Sequence, residues 1–254
     1  MSTNLANKLA LVTGGSGSIG SGIARRLARD GASVIVHYNS SPGGADAVVR
    51  EIEAAGGAAE ALASDLSRHE GPAALLERLD GAFKGRFAGR LDVLVNNAGI
   101  FDFGSLVDVT DDAFDRLFNV NVRALFQLSR EAARRMTKAG WGRIINIGSV
   151  FGEATPAADL SIYCGSKFAV RGLTKAWSRD LGPAGIRVNN VQPALIQEDP
   201  PLTNGPAFEA MQRFASVGRF GKPEDIAEAV AFLASPFADF INGESLTVDG
   251  GWSA

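Results

Sequence analysis

Seven short apolar runs punctuate the chain, separated by longer stretches with helical spacing. The runs are Leu9–Thr13, Ser33–Tyr38, Ala59–Ala63, Leu91–Asn96, Arg143–Ser149, Arg187–Gln192 and Ser245–Val248. Val34-Ile-Val and Val93-Leu-Val alternate no polar residue with their apolar ones, which is how strands covered on both faces read. The intervening segments predict helices over Ile19–Asp30, Gly44–Ala55, Ala73–Phe87, Asp112–Thr137, Tyr163–Leu181 and Pro223–Ala234. Gly31 and Gly56 stand where helix C-caps belong, and Pro223-Glu-Asp supplies an N1 proline followed by first-turn acids. Strand–helix alternation of this kind predicts one α/β domain over residues 1–254, with a doubly wound, seven-stranded parallel sheet flanked by helices. No internal repeat or low-complexity tract interrupts it. The least regular stretch, Gln197–Gly205, reads as a candidate lid.

Composition narrows the classes. Of 254 residues, 46% are hydrophobic and the net charge is −3, with Lys and Arg scattered along helix faces rather than clustered. That argues against a nucleic-acid surface. A single cysteine, Cys164, excludes an internal disulfide and fits a reducing compartment. With only His37 and His69 beside it, a metal cluster is not expected. No apolar leader and no 18-residue apolar stretch occur, so the expectation is a soluble, cytoplasmic protein without a membrane partner.

Two motifs carry chemistry. The first strand runs directly into Thr13-Gly-Gly-Ser-Gly-Ser-Ile-Gly20 and then a helix, so Gly15, Gly17 and Gly20 satisfy G-x-G-x-x-G in the context that a dinucleotide site requires. Glycines there let backbone N–H groups approach a pyrophosphate at the helix N-terminus. The second strand ends in Val36-His-Tyr-Asn-Ser-Ser41, with no acid until Asp46. A carboxylate at that point would accept from a ribose 2′-OH and repel a 2′-phosphate. Its absence, beside hydroxyls and an amide, favours NADP(H) and leaves NAD(H) possible. His37 reads as a partly exposed strand-end residue rather than a specific ligand.

The second motif is Tyr163-Cys-Gly-Ser-Lys167, with Ser149 upstream. A free phenol has a pKa of roughly 10. An ammonium one helical turn away would favour the phenolate and lower that value. A serine hydroxyl beside them can hold a carbonyl oxygen while the phenol delivers its proton. Together with a hydride source the trio suits carbonyl reduction.

With Asp65-Leu66, Asn96-Asn-Ala-Gly99, Asn119-Val-Asn-Val122, Arg187-Val-Asn-Asn-Val-Gln-Pro193, Gly218-Arg-Phe-Gly-Lys-Pro223 and Val248-Asp-Gly-Gly251, these motifs make the chain resemble the short-chain dehydrogenase/reductase family from about Lys8 to Gly251. The likeness is greatest to the 3-oxoacyl-acyl-carrier-protein reductase and carbonyl reductase branch. The resemblance implies that Tyr163 is the acid/base and that Lys167 lowers its pKa and bonds the nicotinamide ribose. It implies that Ser149 polarises the carbonyl and that Asn121 holds a relay water, with Asn119 beside it as a rival. The implied cofactor set is Gly14, Ser16, Ser18 and Ile19 in the loop; His37, Tyr38, Asn39 and Ser40 after the second strand; Asp65 and Leu66 beside the adenine; Asn97, Ala98 and Gly99; Tyr163 and Lys167; and Pro193 with Ile196. A homotetramer is implied as well.

Departures from the family pattern fall at Ser18, Ala194 and Glu198, and in a Ser149–Tyr163 spacing one residue longer than usual, which is expected to reshape the substrate pocket without moving the catalytic groups. Glu153 and Asp159 leave polar substrates open, whereas Phe101, Phe103 and Phe151 favour apolar ones.

Overall fold

The computed structural model describes residues 5–155, 157–197 and 212–254. Its elements run β1 (Leu9–Val12), α1 (Ser18–Arg29), β2 (Ser33–Tyr38), α2 (Pro42–Ala54), β3 (Ala58–Ala63), α3 (Gly71–Gly81), β4 (Val93–Asn96), α4 (Asp111–Phe118), α5 (Leu125–Ala139), β5 (Gly142–Ile147), α6 (Ser161–Leu181), β6 (Ile186–Pro193), α7 (Pro223–Ala234) and β7 (Ser245–Val248). The strands form one parallel sheet in the order β3-β2-β1-β4-β5-β6-β7, the doubly wound Rossmann arrangement. Strand order reverses between β1 and β4, which opens a crevice at their carboxyl ends.

The continuous apolar strands are divided residue by residue between two cores. Ala10, Val12, Val34, Val36, Val93, Val95, Ile145 and Ile147 face one side, where Ile23 and Leu27 of α1 and Ile226 and Val230 of α7 cover them. Leu9, Leu11, Ile35, Leu94 and Ile144 face the other, under Leu75 and Leu79 of α3 and Leu128 and Met136 of α5. The sheet is thereby fixed between two layers, and its crevice edge is held rigidly.

Two predicted helices differ in detail. The segment Ala73–Phe87 stops as a helix at Gly81, because Phe83 and Lys84 take left-handed conformations (φ 50° and 55°) ahead of Gly85. Each such residue costs on the order of 1 kcal/mol. Burial of Phe87, its edge-on contact with Phe83, and the bond from Phe83 N to Glu60 Oε1 (2.7 Å) offset that cost. The predicted helix Asp112–Thr137 is present from Asp111 to Ala139, capped by Thr110 Oγ1, but Asn119–Ala124 forms a π-helical turn within it. Such a turn re-aims side chains inside a helix, and here it carries Asn121 into the buried interior. Most of the candidate lid Gln197–Gly205, Glu198 included, lies outside the described residues.

Candidate active site

Residues at the carboxyl ends of β1, β2, β3 and β4 line a cleft of about 500 Å³. Gly14, Ser16, Gly17, Ser18, Ile19 and Gly20 form its floor. The backbone turns so tightly that a Cβ on Gly20 would lie 2.2 Å from Gly14 O, and Gly14 itself has φ +61°. Helix α1 starts without a side-chain cap, so the N–H groups of its first turn are left for an anion. The wall opposite is pinned by Thr13. Its Oγ1 accepts from Asn97 N (2.9 Å) and Ala98 N (3.0 Å) and donates to Val95 O (3.2 Å). Asn97 Nδ2 donates back to Thr13 O (2.9 Å) and Gly14 O (3.2 Å), so Asn97 closes the strand ends as well as lining the cleft. These residues fit a dinucleotide: a glycine floor, uncapped helix amides and a narrow passage.

Beyond Gly99 the cleft meets the second motif. A Cβ placed on Gly99 would lie 3.4 Å from Asn121 Oδ1 and 3.7 Å from Lys167 Nζ. Asn121 accepts from Ile100 N (2.8 Å) and donates to Ile100 O (3.0 Å) and Ser166 Oγ (3.1 Å). Asn119, its sequence rival, is only partly buried. Lys167 is buried and donates to Ile147 O (3.0 Å); burial pushes its pKa down to about 8. The Ser149 hydroxyl accepts from Phe151 N (3.1 Å) and lies near enough to the Tyr163 phenol to act on its pKa. Between Ser149 and Tyr163 the chain forms a short helical turn, Val150–Gly152, before α6 begins at Ser161.

A family model described as enoyl-(acyl carrier protein) reductase matches residues 14–253. The 3-oxoacyl-[acyl-carrier-protein] reductase FabG of Pseudomonas aeruginosa is 39% identical over 249 residues, 98% of each chain. A short-chain dehydrogenase/reductase from Serratia marcescens superposes with a TM-score of 0.91 at 42% identity, covering 98% of this chain and 99% of that one. A short-chain dehydrogenase from Burkholderia cenocepacia, in complex with NADP, superposes with a TM-score of 0.90 at 43% identity, covering 99% and 100%. The chain belongs to the short-chain dehydrogenase/reductase family. As a member it is an oxidoreductase acting on CH–OH or carbonyl groups with NAD(P).

Several sequence expectations change within this family frame. The phenol pKa is raised, not lowered: burial is the largest cause, and the Ser149 hydroxyl opposes it only in part. Lys167 Nζ lies 5.7 Å from the Tyr163 ring centroid and is spent on a carbonyl, so desolvation wins over its charge. His37 is not partly exposed. It is 2% exposed, and both ring nitrogens are engaged by protein atoms. Glu153 and Asp159 are both exposed, and Glu153 already pairs with Arg171 Nη2 (2.6 Å) and accepts from Gln192 Nε2 (3.0 Å).

Of the implied cofactor set, His37, Asn39, Ser40, Asp65, Leu66, Asn97, Ala98 and Gly99 line the cleft with the loop residues. Tyr38 packs against the core, Pro193 ends β6, and Ile196 bridges Gly221 beside a separate cavity. The implied set leaves out Ser41, which the β2 motif contains, and Ser67, Ile100, Arg116 and Val120, which also line the cleft. Arg116 could not be found by spacing: it reaches the cleft from α4, paired with Asp102 at 2.6 Å.

Proposed function

We propose that this protein reduces a ketone or 3-oxoacyl group to a secondary alcohol with NADPH, Tyr163 donating the proton. The observation that carries the reading is the meeting of Ser149, Tyr163 and the buried Lys167 beside Gly99 at the end of the dinucleotide cleft, where burial raises the phenol pKa. When bound, the cofactor supplies a hydride to the carbonyl carbon. Ser149 and the phenol converge on the place where the carbonyl oxygen gains charge, and the phenol proton moves to that oxygen. The buried ammonium of Lys167 stabilises the phenolate left behind. Gly14, Ser16, Ser18 and Ile19 hold the pyrophosphate, and Asn97, Ala98 and Gly99 hold the adenine-side ribose.

NADPH is chosen over NADH because the groups lining the cleft after β2 are Asn39, Ser40 and Ser41. Asp65, the one carboxylate among the described lining residues, is turned to Ser67, accepting from its N (3.0 Å) and Oγ (2.6 Å). The NADP held by the Burkholderia structure supports this choice. On the substrate side, Phe101 meets the Tyr163 ring edge-on at 4.5 Å, Phe103 meets Phe101 at 4.5 Å, and Phe151 lies 6.2 Å from Tyr163. With Glu153 neutralised, those rings favour a ketone flanked by apolar groups.

The proposed setting is a one-domain cytoplasmic homotetramer without nucleic-acid or membrane partners. Exposed Phe126 and Phe168, on α5 and α6, support self-association. Among the described residues no helix is long and apolar enough to cross a membrane, and no group of three or more metal-ligating side chains occurs.

A panel of ketones and secondary alcohols, run with both cofactors, tests the reading. We expect reduction of apolar ketones with kcat/KM for NADPH at least tenfold above NADH. Equal or better use of NADH would overturn the cofactor choice, and turnover of secondary alcohols alone would favour the NAD-dependent dehydrogenase of an alcohol or sugar.

A further inference from the structure

The imidazole of His37 is shut between the two walls of the cofactor cleft. Its Nδ1 accepts from Gly14 N at 3.1 Å, and its Nε2 lies 3.0 Å from Ser64 O. An N–H facing one nitrogen and a carbonyl facing the other leave a single tautomer, neutral with the proton on Nε2. The His37 carbonyl also accepts from Gly15 N at 2.7 Å. Gly14 is the first glycine of the phosphate loop and sits at φ +61°. Ser64 precedes Asp65 and Leu66, which line the cleft's far wall, and its own Oγ donates to Gly71 O at 2.7 Å. One ring therefore joins the phosphate loop to the β3–α3 connection.

We propose that His37 is a positioning residue that holds the phosphate loop in its cofactor-ready shape only as the neutral imidazole, so that cofactor binding and His37 protonation exclude each other. Protonation would place an N–H against the Gly14 N–H, and the loop would have to leave the ring. Burial already presses the His37 pKa to about 4, opposed only by the Ser64 bond. The titratable groups on the surrounding elements are otherwise engaged or turned away. Tyr38 packs on the core, Glu60 accepts from Phe83 N, Asp65 holds Ser67, Arg78 donates to Ala63 O, Arg116 pairs with Asp102, and Asp46 on α2 is exposed. A ligand role would make the opposite demand: an imidazolium touching phosphate would be favoured by the cofactor.

Linkage separates the two. A ligand that binds only the neutral form must lower the midpoint at which the ring titrates, whereas a charge-pairing ligand must raise it. The chain holds only His37 and His69, so a His69→Gln variant leaves one imidazole to follow by long-range proton–nitrogen NMR. We expect the Nε2–H tautomer in the free protein, and a midpoint displaced to lower pH by saturating NADPH. A phenyl ring in this place leaves Gly14 N–H and Ser64 O without their partners. His37→Phe is accordingly expected to weaken NADPH binding at neutral pH by roughly tenfold to a hundredfold, measured by fluorescence titration. His37→Asn, whose amide oxygen can accept from Gly14 N, should recover most of the loss and remains available should the phenylalanine variant fail to fold. A midpoint that NADPH leaves unchanged or raises would overturn the proposal, as would a His37→Phe affinity within threefold of the parent. No NADPH binding by the parent protein would instead overturn the cofactor choice on which the experiment rests.

Discussion

Tyr163→Phe is expected to lower kcat for ketone reduction about a thousandfold while leaving NADPH affinity and KM within a few-fold of the parent. The magnitude is the usual worth of a positioned proton donor, roughly 10²–10⁴. The selectivity for kcat follows from the geometry. The phenol lies beside the Ser149 hydroxyl and is flanked by Phe101 and Phe151, and phenylalanine keeps those ring contacts while losing the one transferable proton. Ser149 can rotate its hydroxyl to another acceptor, so the variant should fold normally. Ser149→Ala removes the group that orients the carbonyl, along with its bond from Phe151 N, and should cost less activity than Tyr163→Phe. Steady-state kinetics on both, with cofactor affinity measured separately, gives the split. A Tyr163→Phe enzyme retaining more than a tenth of parental kcat would mean that the proton comes from elsewhere.

Lys167→Met is expected to abolish most turnover and, at the same time, to make the protein more stable. The ammonium is buried, and its pKa falls from 10.5 to about 8 in the fold. A base whose folded pKa is depressed charges the folded state with a penalty at every pH below the folded value. The penalty is relieved only as pH rises from about 8 toward 10.5. At neutral pH the shift corresponds to about 3 kcal/mol of destabilisation. Methionine fills much of the same volume without the charge. Its one loss is the bond to Ile147 O, worth about 1 kcal/mol. The net expectation is a gain of about 2 kcal/mol, or roughly 5 °C in melting temperature for a chain of this size. Thermal denaturation at pH 7 without cofactor checks it. A lower melting temperature would show that the lysine is structurally favourable, and a strained, functional cation would no longer describe it.

The parts of the protein that the sequence made legible share a physical cause. Parallel strands buried on both faces must be apolar throughout, so Val34-Ile-Val and Val93-Leu-Val announced themselves, and the glycine loop could follow only such a strand. Tyr163 and Lys167 lie on one helix, so their spacing alone brought them together. The failures depended on contacts that spacing cannot carry. Ala82-Phe-Lys-Gly-Arg-Phe87 keeps a helix-like pattern without proline, and only the burial of Phe87 reveals the turn. The π-helical turn at Asn119–Ala124 shifts the register by one residue, less than amphipathic periodicity resolves. The pairing of Glu153 with Arg171 is hidden from spacing because Arg171 lies a helix away. His37 looked like a surface residue because Tyr38, Asn39 and Ser40 follow it, while Ser64 and Gly14, which enclose it, come from two other connections. The direction of the Tyr163 shift was missed for a related reason: spacing shows the nearby lysine but not the depth at which both groups sit.

That last correction bears on the central claim, that a buried, protonated phenol beside a buried ammonium reduces a carbonyl. The free-enzyme pH profile of kcat/KM for ketone reduction with NADPH tests it most directly. A phenol whose pKa is raised stays protonated through neutral pH, so it does not limit reduction there. The Lys167 ammonium that must stabilise the departing phenolate is lost through about pH 8. The account therefore predicts a plateau across neutral pH and a fall above about 8, with alcohol oxidation rising over the same alkaline range. A reductive kcat/KM that climbs with pH through 8 would contradict it.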